Sequence, residues 1–115
     1  MMQWKGEIPA GQVYEKPVSS FDIFATAAAN STGVTAPKQV EGVDLIPFVT
    51  GKNDGVPHMT LFWRQGGKTA LRHGDWKLVR LGKRLGARND KWELYDLSKD
   101  LSETNDLAVT EPERL

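Results

Sequence analysis

Two histidines, His58 and His73, are the first residues to weigh for chemistry. A histidine metal site needs further nitrogen or oxygen ligands converging on it, and the chain has neither an H-x-x-x-H nor an H-E-x-x-H spacing. Each histidine therefore reads first as a hydrogen-bonded residue at a strand edge. Asp100, Glu103 and Asp106 form a D-x-x-E-x-x-D series, unlike the D-x-[DN]-x-[DN]-G spacing of a calcium loop. They read as turn formers and caps. Ser19, Ser20, Ser31, Ser98 and Ser102 lack a G-x-S-x-G context and a local base, so none reads as a nucleophile. The chain contains no cysteine, which removes disulfides, thiolate metal sites and thiol nucleophiles from these 115 residues. Gly82-x-x-x-Gly86 sits in a basic stretch but lacks the G-K-[ST] ending of a phosphate-cradling loop. Trp63, Trp76 and Trp92 are interleaved with Arg64, Arg72, Lys77, Arg80 and Arg84. Such a set could stack bases and contact phosphates. No ribonucleoprotein-type motif accompanies it, and the tryptophans alternate as core residues do.

Charge sets further bounds. Lys+Arg and Asp+Glu are each 15, which argues against a nucleic-acid binder and against an acidic disordered tail. The balance hides an asymmetry. Residues 1–63 carry a net −2, residues 64–91 a net +7 and residues 92–115 a net −5. Neutralisation across one folded surface explains this, and a basic surface for a sulfated sugar or another polyanion is the sharper alternative. No apolar run approaches the roughly 20 residues of a membrane helix. Residues 1–20 hold Lys5, Glu7, Glu15 and Lys16 and no apolar block, so no signal peptide is expected.

These residues need elements to position them. Gly6, Pro9, Gly11 and Pro17 keep the first 17 residues irregular. Ser19 or Ser20 offers a hydroxyl N-cap, Val18 a staple, and Asp22 a negative charge for the first turn. Phe21, Phe24 and Ala28, widened by Ile23 and Ala27, set a helical stripe, and Gly33 suits the C′ position, predicting a helix over about 20–31. Asp44 caps a short helix over about 44–50, with Pro47 near its first turn. From residue 58 the period changes to two. Strands are expected over 58–65, 68–73, 76–81 and 91–97, joined by Gly66-Gly67, Gly74-Asp75 and the basic loop 82–90. In the last strand Trp92 and Leu94 are expected on one face, and Glu93 and Tyr95 on the other. Residues 98–108 read as a turn-rich tail, and Thr110-Glu111-Pro112-Glu113 starts a helix that Leu115 cuts off. The expected class is α+β: an antiparallel three- to four-stranded sheet with one or two helices.

The blocks of this chain, taken in order, resemble the C-terminal portion of a sulfatase of the arylsulfatase or N-acetylgalactosamine-6-sulfatase type. Trp4-Lys5-Gly6 with Ile8-Pro9-Ala10-Gly11 resembles W-P-G-x-I-x-x-G, and residues 17–26 resemble P-V-S-x-x-D-I-x-P-T. Residues 41–47 resemble D-G-V-D-L-x-P. Residues 61–64 and 70–79 resemble L-F-W-R followed by A-V-R-x-G-x-W-K-L-V. Residues 93–107 resemble E-L-Y-D-L-x-x-D-P-x-E-x-x-N-L. Ala25 and Leu101 stand where the family pattern has proline.

The resemblance implies the C-terminal subdomain of an alkaline-phosphatase-like α/β sulfatase. Residues 1–57 would be the tail end of the catalytic domain, and residues 58–115 the antiparallel sheet subdomain with its final helix truncated. It implies a parent that hydrolyses sulfate esters with a formylglycine and a calcium ion, acts on a sulfated sugar or aryl sulfate, and is periplasmic or secreted. No cofactor is implied for this chain, because no serine begins S-x-P-x-R and no cysteine exists. The expectation is a catalytically incomplete fragment. Its sheet supports the substrate cleft, with His58, Arg64, Arg72 and His73 as rim candidates and no catalytic or metal-binding residue. The rival readings are a stand-alone module that uses residues 64–91 to bind polyanions, and a structural or oligomerising piece. No nucleic-acid or membrane partner is expected, and an uncovered sheet face predicts self-association.

Overall fold

The computed structural model describes residues 1–32, 40–82 and 91–115. Its contacts divide the chain into two compact units, Met1–His58 and Met59–Leu115.

The first unit is built around helix α1 (Phe21–Ala29) and a single helical turn, α2 (Ile46–Val49). Helix α1 is two residues shorter at its C-terminal end than its apolar pattern suggests. Two side chains satisfy the final carbonyls there: Asn30 Nδ2 donates to Thr26 O at 2.8 Å and Ser31 Oγ donates to Ala27 O at 2.6 Å. Gly33, the expected stop, lies outside the described residues.

The N-terminus also differs from expectation. Ser20 makes no side-chain cap bond, and Ser19 Oγ lies a long 3.4 Å from the Phe21 amide. Asp22 takes over by reaching back, its Oδ2 accepting from the Ser19 amide at 2.7 Å. The buried face of α1 is Asp22, Ala25, Thr26 and Ala28, while Phe21, Ile23 and Phe24 are exposed. The segment 43–45 decides this. The Val43 amide donates to Asp22 Oδ1 at 3.0 Å and the Leu45 amide to Thr26 Oγ1 at 3.0 Å, so the polar side of the helix is the covered one. Helix α2 is shorter than the expected 44–50 and has Leu45 at its N-cap; Asp44, one residue earlier, still accepts from the Ile46 amide through Oδ1 at 3.0 Å.

Gly42 makes this close approach possible. A Cβ at that position would stand 2.2 Å from the Phe21 carbonyl oxygen and 2.9 Å from the Asp22 amide nitrogen. Backbone cannot swing aside as a flexible side chain can. Gly42→Ala is therefore expected to lower unfolding stability by about 1–3 kcal/mol, read by urea denaturation.

The second unit is a four-stranded antiparallel meander: β1 (Thr60–Gln65), β2 (Lys68–His73), β3 (Trp76–Arg80) and β4 (Trp92–Asp96), in that spatial order. Gln65 pairs with Lys68 across Gly66-Gly67, and Gly66 has φ +59°, which glycine adopts without strain. His73 pairs with Trp76 across the second tight turn. The register puts Leu61, Arg72, Lys77 and Tyr95 in one row, and Trp63, Ala70, Val79 and Glu93 in the next row of the same face. Thr60, His73, Trp76 and Asp96 lie on the opposite face, with Phe62, Leu71, Leu78 and Leu94.

Both faces carry buried residues. Val79 and Tyr95 are buried on one, and Leu94, 2% exposed, on the other. Trp92 and Leu94 share one face of β4 and Glu93 and Tyr95 the other, as expected, and the strand is covered on both sides. The tryptophans are not the core. Trp63 is 45% exposed because it lies on edge strand β1, and Trp92 is 38% exposed with the Arg80 guanidinium 5.0 Å above its ring. Trp76 is half-buried beneath the guanidinium of Arg114, 4.4 Å from its ring centre. The outer edge of β4 is closed by the tail: Asp106 Oδ1 accepts from the Leu94 amide at 3.0 Å and the Leu107 amide donates to Leu94 O at 2.8 Å. Pro112–Arg114 forms one 3-10 turn. Residues 83–90, most of the stretch expected as a basic loop, lie outside the described residues.

Candidate functional site

The four rim candidates do not form one site. His58 is turned inward. Its Nε2 lies 2.8 and 2.9 Å from the two carboxylate oxygens of Asp22, which is 0% exposed. With the Ser19 and Val43 amides, this pair ties residue 58 to the start of α1 and to the 43–45 segment. Burial alone would push the Asp22 carboxyl up. The two amides and the His58 imidazole outweigh it and hold the carboxyl below its ordinary value. Asp22, read from sequence as a dipole partner, is thus the organising polar residue of the first unit. The S-x-x-D spacing of Ser19 and Asp22 was the available signal.

The other three candidates lie in the second unit, on different faces. His73 and Arg64 share one face of the sheet, and Arg72 lies on the other. His73 Nδ1 is 2.7 Å from Thr60 Oγ1 across the strand pair, the edge hydrogen bond its position suggested. Arg64 is exposed, with no side-chain partner among the described residues. Arg72 Nε donates to Gly74 O at 2.9 Å, and one of its terminal nitrogens stands 4.0 Å from Asp75.

Arg72 opens onto a groove of about 380 Å³ bounded by Trp63, Ala70, Lys77, Leu97, Leu101 and Glu103. Cross-strand register brings Trp63, Ala70, Arg72 and Lys77 together. The tail beyond β4 supplies the opposite wall. Glu103 pairs there with Lys77 Nζ, a contact that sequence spacing alone did not suggest because 26 residues separate the two. Glu103 has φ +55°, in the left-handed region that side chains rarely occupy. Asp100 holds it there by accepting from the Thr104 amide at 2.8 Å and the Asn105 amide at 2.7 Å. Those bonds, the Asn105 amide foremost, keep the Asp100 carboxyl below its ordinary value. Tyr95, in the row of Arg72 and Lys77, is pushed up to about 12 by burial, with its bond to Glu93 and the charges of Asp106 and Glu103 adding to it.

Among the described residues no three His, Asp or Glu side chains converge as a metal site would require. They do not fit a calcium centre, and the sequence offers no formylglycine precursor. No helix of the described residues is long and apolar enough to cross a membrane.

This sheet and its tail have known counterparts. The family described as N-sulphoglucosamine sulphohydrolase, C-terminal, matches residues 1–114. The chain belongs to this sulfatase C-terminal family. The family's α+β architecture, with its four-stranded antiparallel sheet, is the fold described above.

Similar curated sequences are an uncharacterized sulfatase of Escherichia coli K12, YdeN, and the human steryl-sulfatase. Each is 36% identical over 64 residues, which is 54% of this chain and 11% of the relative. Among solved structures, Ps i-CgsB superposes with a TM-score of 0.72 at 24% identity, over 97% of this chain and 25% of that one. A glycosaminoglycan-metabolism sulfatase of Bacteroides thetaiotaomicron superposes with a TM-score of 0.59 at 25% identity, over 81% of this chain and 22% of that one. The chain therefore spans about a tenth of the curated relatives and a quarter of the solved ones.

Proposed function

We propose that this chain serves as the C-terminal subdomain of a sulfuric ester hydrolase, carries none of the hydrolytic machinery itself, and supports and edges a cleft for sulfated sugar or aryl sulfate. The observation that carries the reading is the family match along residues 1–114, together with the four-stranded sheet. The intact activity takes a calcium ion and a formylglycine; the described residues hold no ligand cluster for the first, and the sequence offers no precursor of the second. An arylsulfatase or N-acetylgalactosamine-6-sulfatase specificity is the finer assignment, favoured by the L-F-W-R and A-L-R-H-G-D-W-K-L-V blocks. Of the four rim candidates, Arg72 faces a groove able to receive an anionic group, whereas His58 serves the fold.

The test is aryl-sulfate hydrolysis by the purified 115-residue chain with calcium present. No turnover above buffer is expected. Turnover that survives repurification and recurs in a second preparation would overturn the reading.

A further inference from the structure

The groove beside β1 has a composition that the supporting role does not require. We propose that it is a subsite for one anionic sugar ring, stacked on Trp63 with its anionic substituent on Arg72. The inference rests on the reading above, that the chain serves a hydrolase of sulfated substrates.

Four observations carry it. The groove, about 380 Å³, lies at the small end of the range for small-molecule sites and suits a single ring. Trp63 keeps 45% of its surface in solvent although Ala70, its cross-strand neighbour, leaves room for a larger partner. The indole is therefore a flat apolar surface left open beside cations, the arrangement that receives the C–H face of a sugar. Arg72 is oriented before any ligand arrives, because its Nε is already held by Gly74 O. Its acidic partner among the described residues, Asp75, is well exposed and stands 4.0 Å away, so the terminal nitrogens can take an anion in a forked contact.

The opposite wall supplies polarity of a different kind. Lys77 and Glu103 neutralise one another, leaving Arg72 as the net charge among the described residues of the groove. Their unused donor and acceptor positions suit ring hydroxyls. Glu103 is held in a left-handed conformation by the Asp100 loop, and a side chain that only lined a core would need no such placement. An aryl ring would leave those spare positions of the Lys77–Glu103 pair unused, which favours the sugar.

The 115-residue chain would be titrated with D-glucosamine-2-N,6-O-disulfate while NMR follows the Trp63 indole N–H and the Arg72 Nε–H. N-acetylglucosamine, inorganic sulfate and 4-nitrophenyl sulfate are the comparison ligands. Saturable shifts at both groups are expected with the disulfated sugar, at least roughly tenfold tighter than with any comparison ligand. Trp63→Ala and Arg72→Gln should each weaken binding roughly tenfold, and Trp63→Phe should restore most of it. Glu103→Gln removes the only carboxylate among the described residues of the lining and should tighten binding severalfold, a gain that damaged folding cannot mimic.

Absence of saturable shifts, equal affinity for inorganic sulfate or 4-nitrophenyl sulfate, or binding unchanged in Trp63→Ala would each overturn the proposal. The hydrolase reading is tested by turnover and not by binding. A null titration with no turnover therefore removes the subsite and leaves the supporting role standing.

Discussion

Asp22→Ala is expected to lower the unfolding free energy by about 3–5 kcal/mol, the largest loss of any single substitution in the first unit. The residue is 0% exposed, and its carboxylate is gripped by two amides and by His58. Removing it leaves all three donors facing an apolar void. Asp22→Asn keeps the volume but loses the charge, and should cost less than Asp22→Ala.

The pH dependence of the pair of proteins isolates the carboxylate. Its folded-state pKa lies below the ordinary 3.8, so its contribution to stability is present above pH 3.8 and is lost as pH falls through the folded value. Asp96 and Asp100 are also held low, by the Ser98 hydroxyl with Lys99 and by the Asn105 amide with Thr104, and they give the Asp22→Asn protein an acid limb of its own. The difference between wild type and Asp22→Asn, measured by urea denaturation from pH 7 to pH 2, should therefore be constant above about pH 5 and shrink below pH 4. A difference that grew toward acid would contradict the assignment of Asp22 as an ionised anchor.

Leu94→Ala should cost about 2–5 kcal/mol in the sheet unit. Leu94 is 2% exposed, stands opposite Leu78 on β3, and is the most enclosed apolar side chain of the described residues. Its backbone is pinned on the outer side by Asp106 and Leu107, so the strand cannot move inward to fill the space left by the lost methyls. A cost near the upper end follows. Phe62→Ala on the same face is the contrast: Phe62 is exposed on β1, and its truncation should change stability by no more than about 0.5 kcal/mol. Equal losses in the two variants would mean that the face is covered quite differently.

The meander was legible in the sequence because strand signals and turn signals agreed. Met59 to Gln65 alternates, Gly66-Gly67 and Gly74-Asp75 fit two-residue turns, and β4 is bracketed by polar segments. Helix boundaries were less legible, since Asn30 and Ser31 end α1 with side-chain bonds that composition does not rank. The buried face of α1 was misread for a physical reason. Apolar periodicity marks Phe21, Phe24 and Ala28, widened by Ile23 and Ala27, as the inward stripe; of these Ala28 is buried, but the 43–45 segment binds the helix through Asp22 and Thr26, by hydrogen bonds instead of apolar contact. Alternation likewise marks the tryptophans as core, but Trp63 lies on edge strand β1 and Trp92 on the outer strand β4, and both stay exposed, while Trp76 on inner strand β3 is half-buried. Of the site, Arg72 could be named from its motif. Glu103 could not, because its meeting with Lys77 depends on a left-handed residue in a tail with no regular pattern.

The strand order has a kinetic consequence. Each strand of the sheet pairs with its neighbour in sequence, and the first two connections are only two residues long. Little chain entropy is lost in bringing such partners together, so the β1–β3 hairpins can form early and rapidly. The carboxylate clasp of the other unit joins positions 21 and 36 residues apart, and its closure must wait for a longer stretch of chain to be confined. During synthesis the order of emergence runs the other way: the unit with distant partners leaves the ribosome before the unit that folds on local instructions.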